Sequence, residues 1–190
     1  MPGLTFTKLE PEGLVLIEGR IFSDDRGFFL EGYREAELLE AGLPRFVQDN
    51  ISRSSQGTVR GLHYQKAPAA QAKLMRCLRG KVFDVAVDIR RGSPTYGKWA
   101  AVELSDERNL MLYIPVGFAH GFYTLSETAD ILYKVTTYFS LEHDRGVRWD
   151  DPALDIAWPS KAGTLSAKDL RLPLLAEADN DFAWKQPSAR

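Results

Sequence analysis

The sequence predicts a mainly β protein, a sandwich or a barrel, with little helix. Two observations carry this expectation: short runs of alternating apolar and polar residues recur along the chain, and turn residues separate them. The clearest strand covers 81–90, where Phe83, Val85, Val87 and Ile89 alternate with Asp84, Ala86 and Asp88. A period of two gives that strand one apolar face and one face bearing carboxylates. Further strands are expected over 98–104, 110–114, 118–125 and 129–138. Gly92-Ser93-Pro94, Ser105-Asp106-Glu107 and Ser126-Glu127 supply turns between them. A short helix is expected over 34–41, rich in Glu, Ala and Leu and stopped by Gly42 and Pro44. Beyond Pro159 strand propensity is low, and Ser166 is placed to cap a helical turn through Asp169 that Pro173 ends. The pattern does not choose between sandwich and barrel.

The chain has 190 residues, enough for one well-buried domain spanning 1–190, and no linker or internal repeat divides it. Its net charge of −2 argues against a nucleic-acid partner, which calls for a basic stripe. Cys77 is the only cysteine, so an intrachain disulfide or a cysteine metal cluster is excluded, as suits a reducing cytosol. The start, Met1-Pro2-Gly3-Leu4-Thr5-Phe6, lacks the basic patch and apolar run of a signal peptide. No apolar run reaches the roughly 18 residues that a membrane span requires. The expectation is a soluble, cytoplasmic domain without membrane or nucleic-acid partners.

Candidate chemistry centres on histidine. Of the three histidines, His63 lies in Arg60-Gly61-Leu62-His63-Tyr64-Gln65, His120 lies in Phe118-Ala119-His120-Gly121-Phe122, and His143 is the third. One such histidine is ordinarily a hydrogen-bonded core residue. Two of them, in a chain that also offers Arg60, Lys73, Asp84 and Tyr133, shift the balance towards a site. Burying so many ionisable groups is costly unless they pair or serve a reaction. A metal centre built on His-x-His is disfavoured, because Gln65 stands two residues after His63 and Lys73 occupies the stretch where an acidic ligand would fall. There is no dinucleotide fingerprint, phosphate-binding P-loop or nucleophilic serine elbow, and Cys77 reads as packing in an apolar strand. Cofactor-independent acid–base chemistry by His, Tyr, Lys and Asp remains.

An ordered series of segments then resembles one family over nearly the whole chain. It runs from Phe22-Ser23-Asp24-Asp25-Arg26-Gly27-Phe28-Phe29-Leu30-Glu31 and Phe46-Val47-Gln48-Asp49-Asn50 to Val59-Arg60-Gly61-Leu62-His63-Tyr64-Gln65 and Gln71-Ala72-Lys73-Leu74. It continues through 82–90, Ser93-Pro94-Thr95-Tyr96-Gly97, 114–122, Leu132-Tyr133-Lys134, Trp149-Asp150-Asp151-Pro152, Trp158-Pro159 and Leu165-Ser166-Ala167-Lys168-Asp169. The family is that of the dTDP-4-dehydrorhamnose 3,5-epimerases. The resemblance implies a cupin-type double-stranded β-helix, a jelly-roll barrel with a few short helices. It also implies epimerisation at C3 and C5 of dTDP-4-dehydro-6-deoxy-D-glucose through an enolate.

By the same resemblance His63 is the base, Asp169 its orienting carboxylate, Lys73 the cation near O4, and Tyr133 the proton donor on the other face. Arg26, Glu31, Gln48, Asn50, Arg60, His120, Tyr138, Asp144 and Lys168 are implied to bind the sugar nucleotide, with Asp84 behind His120. Arg26 and Glu31 are implied to reach a neighbouring subunit in a homodimer with exchanged strands. Asp144 stands where the family commonly carries Glu, one methylene longer. Blander roles are open to several of these residues: Tyr133 as a strand aromatic, Lys73 as a solvated edge lysine, Asp169 and Asp84 as surface carboxylates. In regular strands Arg60 and His63, three apart, would point to opposite faces, as would Tyr133 and Tyr138, five apart. Gly61 can host a bulge, and Tyr138 can lie past a strand end. Epimerisation at one carbon only would use the same residues, and two further alternatives are a metal-dependent cupin and a non-catalytic sugar-nucleotide-binding module.

Overall fold

The computed structural model describes residues 3–186 and arranges the chain as two facing sheets of antiparallel strands. The first sheet runs β1 (Thr5–Leu9), β2 (Leu14–Glu18), β10 (Leu110–Ile114), β7 (Lys73–Arg79), β12 (Thr128–Val135) and β5 (Gln48–Ser55). The second runs β13 (Asp144–Gly146), β6 (Val59–Gln65), β11 (Phe118–Thr124), β8 (Lys81–Asp88) and β9 (Trp99–Ser105). A separate hairpin pairs β3 (Ile21–Asp24) with β4 (Gly27–Leu30). From β6 onward the chain weaves between the sheets: β7, β10 and β12 join the first, and β6, β8, β9, β11 and β13 the second. This weave is the expected cupin-type jelly-roll. The expected strands and helix are present with small shifts at their ends, the helix α1 spanning Glu35–Glu40. Among the described residues no helix is long and apolar enough to cross a membrane.

Both faces of the second sheet are covered, and β8 shows how. Val82 and Ala86 point between the sheets into a core with Leu14, Met75, Cys77, Leu104, Leu110, Leu112, Ile114, Phe118, Phe122 and Ile131. Val85, Val87 and Ile89 point the other way, against Leu154, Leu175 and Ala178 from the C-terminal segment. The carboxylate face of β8 is therefore interior too, and Asp84 and Asp88 are both 0% exposed. Asp88 is satisfied by Arg90, Ser93 and Thr95. On the far side α1 lays Leu38 onto Ile17, Leu74, Met111 and Tyr113 of the first sheet. Each fully buried Leu or Ile in these layers contributes about 1.5–3 kcal/mol. Cys77 packs in the core, as expected.

Beyond its apolar packing, the C-terminal segment is tied, among the described residues, by isolated bridges and not by a strand ladder. The Arg91 N–H donates to the Phe182 carbonyl and the Trp184 N–H to the Arg91 carbonyl, each at 2.9 Å. Arg90 lies between the rings of Phe118 and Trp184, 4.6 and 4.4 Å from their centroids. Within this segment Ser166 accepts the Asp169 N–H at 3.1 Å and opens a 3-10 turn over Asp169–Arg171, before Pro173. The cap anticipated at Ser166 is thus in place.

The irregularity expected at Gly61 is real. Opposite β11, His63 faces His120 and Arg60 faces Phe122, so three steps on β6 match two on β11. The extra residue brings Arg60 and His63 to the same side of their sheet. Gly61 holds φ +121°, a region that favours glycine. A Cβ there would stand 2.6 Å from Gly121 Cα and 2.7 Å from the His120 carbonyl oxygen. Tyr138 lies past the end of β12, which answers the second parity question. Gly61→Ala should therefore lower stability by more than about 1 kcal/mol and displace His63. Chemical denaturation checks this; an unchanged midpoint would show that the close approach is not required.

Candidate active site

Between the two sheets opens a pocket of about 490 Å³. Ser52 of β5, Lys73 and Met75 of β7, and Tyr133 of β12 line it from the first sheet. Val59, Arg60 and His63 of β6, with His120 and Phe122 of β11, line it from the second. Residues 164–166, Lys168 and Asp169 of the C-terminal segment complete its wall. The base and acid candidates thus stand on opposite sheets.

His63 Nε2 lies 2.6 Å from Asp169 Oδ1. With the proton on Nε2, donated to the carboxylate, Nδ1 keeps the lone pair that a base requires. Burial pushes the Asp169 carboxyl upward, but the His63 bond and charge, with Ser166 and Lys168, outweigh it and hold the group below the usual carboxylate range. A second dyad lies directly across the strand pair, where His120 Nε2 sits 2.9 and 3.0 Å from the two oxygens of Asp84. Burial lowers the His120 pKa and Asp84 opposes that shift. Asp84 is therefore a buried partner of His120, not a solvent-facing strand residue. Both ring systems are committed to carboxylates, and among the described residues no group of three or more His, Cys, Asp or Glu could hold a metal ion.

Lys73 enters the same space from a strand flanked on both sides, so it is not an edge lysine. Its Nζ donates to the His63 carbonyl at 3.2 Å. Burial lowers its pKa to about 8, against the pull of Asp144 and Asp84. The Tyr133 phenol is shifted the other way, raised by burial and opposed by Arg60, so it keeps its proton. Arg60 stretches over the rim, donating from Nε to Ser54 Oγ at 2.9 Å and from Nη2 to the Arg53 carbonyl at 3.0 Å. Lys168 pairs with Asp144, whose shorter side chain still meets a cation.

The pocket gathers His63, Lys73, Tyr133, Asp169, Arg60, His120 and Lys168, with Asp84 and Asp144 one contact behind. Other expected binding residues stand apart from it in this chain. Arg26 is paired with Asp24 at the hairpin turn, its side chain 89% exposed, and Glu31 pairs with Arg34. Gln48 and Asn50 bond each other along β5, and Tyr138 is exposed. Sequence reasoning missed Ser52, Met75 and Phe122. Their signal was parity alone, since Ser52 shares a face with Asn50 and Met75 with Lys73.

The description dTDP-4-dehydrorhamnose 3,5-epimerase belongs to the family model that matches residues 8–177. The chain belongs to the dTDP-4-dehydrorhamnose 3,5-epimerase family. It is 52% identical over 176 residues to the dTDP-4-dehydrorhamnose 3,5-epimerase of Pseudomonas aeruginosa, covering 91% of this chain and 97% of that one. It is 51% identical over 185 residues to the Sinorhizobium fredii protein of the same description, covering 94% and 93%. The Legionella pneumophila dTDP-6-deoxy-D-glucose-3,5-epimerase, solved in complex with dTDP-4-keto-L-rhamnose, superposes with a TM-score of 0.88 at 46% identity, covering 92% of this chain and 94% of that chain.

Membership does not alter the energetics at Lys73, where an enclosed ammonium has no carboxylate within ion-pair distance among the described residues. A base whose folded pKa is depressed costs stability while it stays charged, and the cost fades as pH rises from the folded pKa towards the unfolded one. Lys73→Met should therefore melt higher than the wild type at pH 7, at roughly 2–4 °C per kcal/mol relieved. The gain should shrink as pH rises from about 8 towards 10.5. Thermal melts across that range check it; a lower melting temperature at pH 7 would contradict the account.

Proposed function

We propose that this chain epimerises C3 and C5 of dTDP-4-dehydro-6-deoxy-D-glucose to give dTDP-4-dehydro-L-rhamnose, without metal or nucleotide cofactor. The observation that carries the reading is the placement of the His63–Asp169 dyad on one wall and Tyr133 with Lys73 on the other. A ketone at C4 acidifies the hydrogens at C3 and C5. His63 takes one of them, the carbon's electron pair delocalises onto O4 as an enolate, and Tyr133 returns a proton to the opposite face. Positioned acid–base groups of this kind contribute about 10²–10⁴-fold in rate. On this reading the Lys73 ammonium lies near O4 and stabilises the enolate oxygen where its charge develops. The raised pKa of Tyr133 suits a donor that releases its proton only to an enolate.

Arg60 and Lys168 are proposed to meet the diphosphate, whose charged oxygens match their donors. Arg26 and Glu31 are assigned to the site of a second copy in a homodimer with exchanged hairpins. Three features support this: the β3–β4 hairpin pairs with neither sheet, Phe28 and Phe29 on it are 65% and 66% exposed, and Arg26 projects from its tip. Gln48, Asn50 and Tyr138, which stand apart from the pocket in this chain, are assigned to the sugar nucleotide as further contacts. The chain is read as one domain over 1–190, acting in the cytoplasm, with no nucleic-acid or membrane partner.

Incubation with the keto sugar nucleotide in deuterated water, read by NMR, should place solvent deuterium at both C3 and C5 without added metal. Label at one carbon only would identify a single-position epimerase, and label at neither would overturn the reading. His63→Ala should lower turnover by about 10²–10⁴-fold. Tyr133→Phe should continue to exchange through His63 while losing inversion.

A further inference from the structure

We infer that Ser52 is a specificity-determining residue whose hydroxyl hydrogen-bonds the C2 hydroxyl of the hexose. The inference rests on the epimerase reading above and adds a contact that the acid–base set leaves out. Along β5, Gln48, Asn50, Ser52 and Ser54 alternate with exposed Asp49, Ile51, Arg53 and Ser55, so the four form one polar stripe facing inward. Three of the four have partners. Gln48 donates to Asn50 at 2.8 Å and accepts the Phe139 N–H at 3.1 Å, and Ser54 accepts from Arg60 at 2.9 Å. The buried Ser52 Oγ has no hydrogen-bond partner among the described residues. Among the described residues only Asn109 and Thr124 share that condition, and neither lines the pocket as Ser52 does.

A buried hydroxyl without a partner is unfavourable, and a small apolar residue would fill the position without that cost. Among the described residues no hydrogen bond fixes the hydroxyl, so rotation about χ1 between staggered wells is enough to re-aim it at a ligand. Register says which part of the ligand it meets. Asn50 pairs with Tyr133, Ser52 with Ile131, and Ser54 with Ala129. Ser52 is thus the inward residue between the Tyr133 level, assigned to a reacting carbon, and Ser54, which holds the Arg60 assigned to the diphosphate. In the hexose, the atom between C1, which bears the diphosphate, and the reacting C3 is C2. Its hydroxyl both donates and accepts, and so matches a serine.

The test compares wild type and Ser52→Ala on the 4-keto-6-deoxyglucose nucleotide and on its 2-deoxy analogue, by deuterium incorporation and kcat/KM. Ser52→Ala should lower kcat/KM on the parent sugar by about 3–10-fold, the range for one neutral hydrogen bond. On the 2-deoxy sugar the two enzymes should agree within about twofold, because the partner is already gone. The variant should melt no lower than wild type, since no protein hydrogen bond is removed. An equal penalty on both sugars, no penalty on the parent, or a lowered melting temperature would each overturn the inference. A wild type that turns over neither sugar would instead overturn the epimerase reading, and this inference with it.

Discussion

Titratable side chains enclosed between two sheets constrain the rest of this molecule. A β-barrel interior ordinarily takes apolar groups, and a lone charge there is expensive. Here the interior holds Asp84, His120, His63, Asp169 and Lys73 around one pocket, and two of those charges are resolved by pairing. His63 leans on Asp169 and His120 on Asp84, and each pair ties a strand of the second sheet to something else. One reaches the C-terminal segment and the other the neighbouring β8. Lys73 is the group that no carboxylate contacts directly among the described residues, and burial depresses its pKa against the more distant pull of Asp144 and Asp84. A site that keeps an ammonium in such surroundings is suited to an oxygen that becomes negative during reaction.

The architecture serves this constraint at two places. Gly61 and Gly121 let β6 and β11 approach so closely that neither admits a side chain, and the extra residue turns Arg60 and His63 the same way. The C-terminal segment has two roles. It covers Val85, Val87 and Ile89 on the outer face of the second sheet, and it delivers Asp169 to His63 through a turn capped by Ser166. Stability of the outer layer and orientation of the His63 ring are therefore coupled, because both depend on the same docked segment.

Strand parity was readable in the sequence, and what covered each face was not. The alternation in β8 correctly separated Val85 and Val87 from Asp84 and Asp88, yet a period of two cannot tell an interior carboxylate from a solvated one. The answer lay in residues 154–178, far along the chain, which bury the other face. The partnership of His63 with Asp169 spans 106 residues and leaves no periodic trace, so it was reachable only through family resemblance. The β5 stripe left no such trace: all four of its inward residues are polar, as are most of the outward ones, so hydrophobicity gave no hint that they face inward. Arg26 and Glu31, paired within this chain to Asp24 and Arg34, carry no periodic signal that ties them to the pocket.

The central claim is that Asp169 makes His63 the base. Its most direct measurement is the rate of deuterium incorporation at C3 and C5 for Asp169→Asn against wild type, under saturating sugar nucleotide. The account predicts a fall of about 10²–10⁴-fold at both carbons, with the sugar nucleotide still bound. An unchanged rate at either carbon would contradict it.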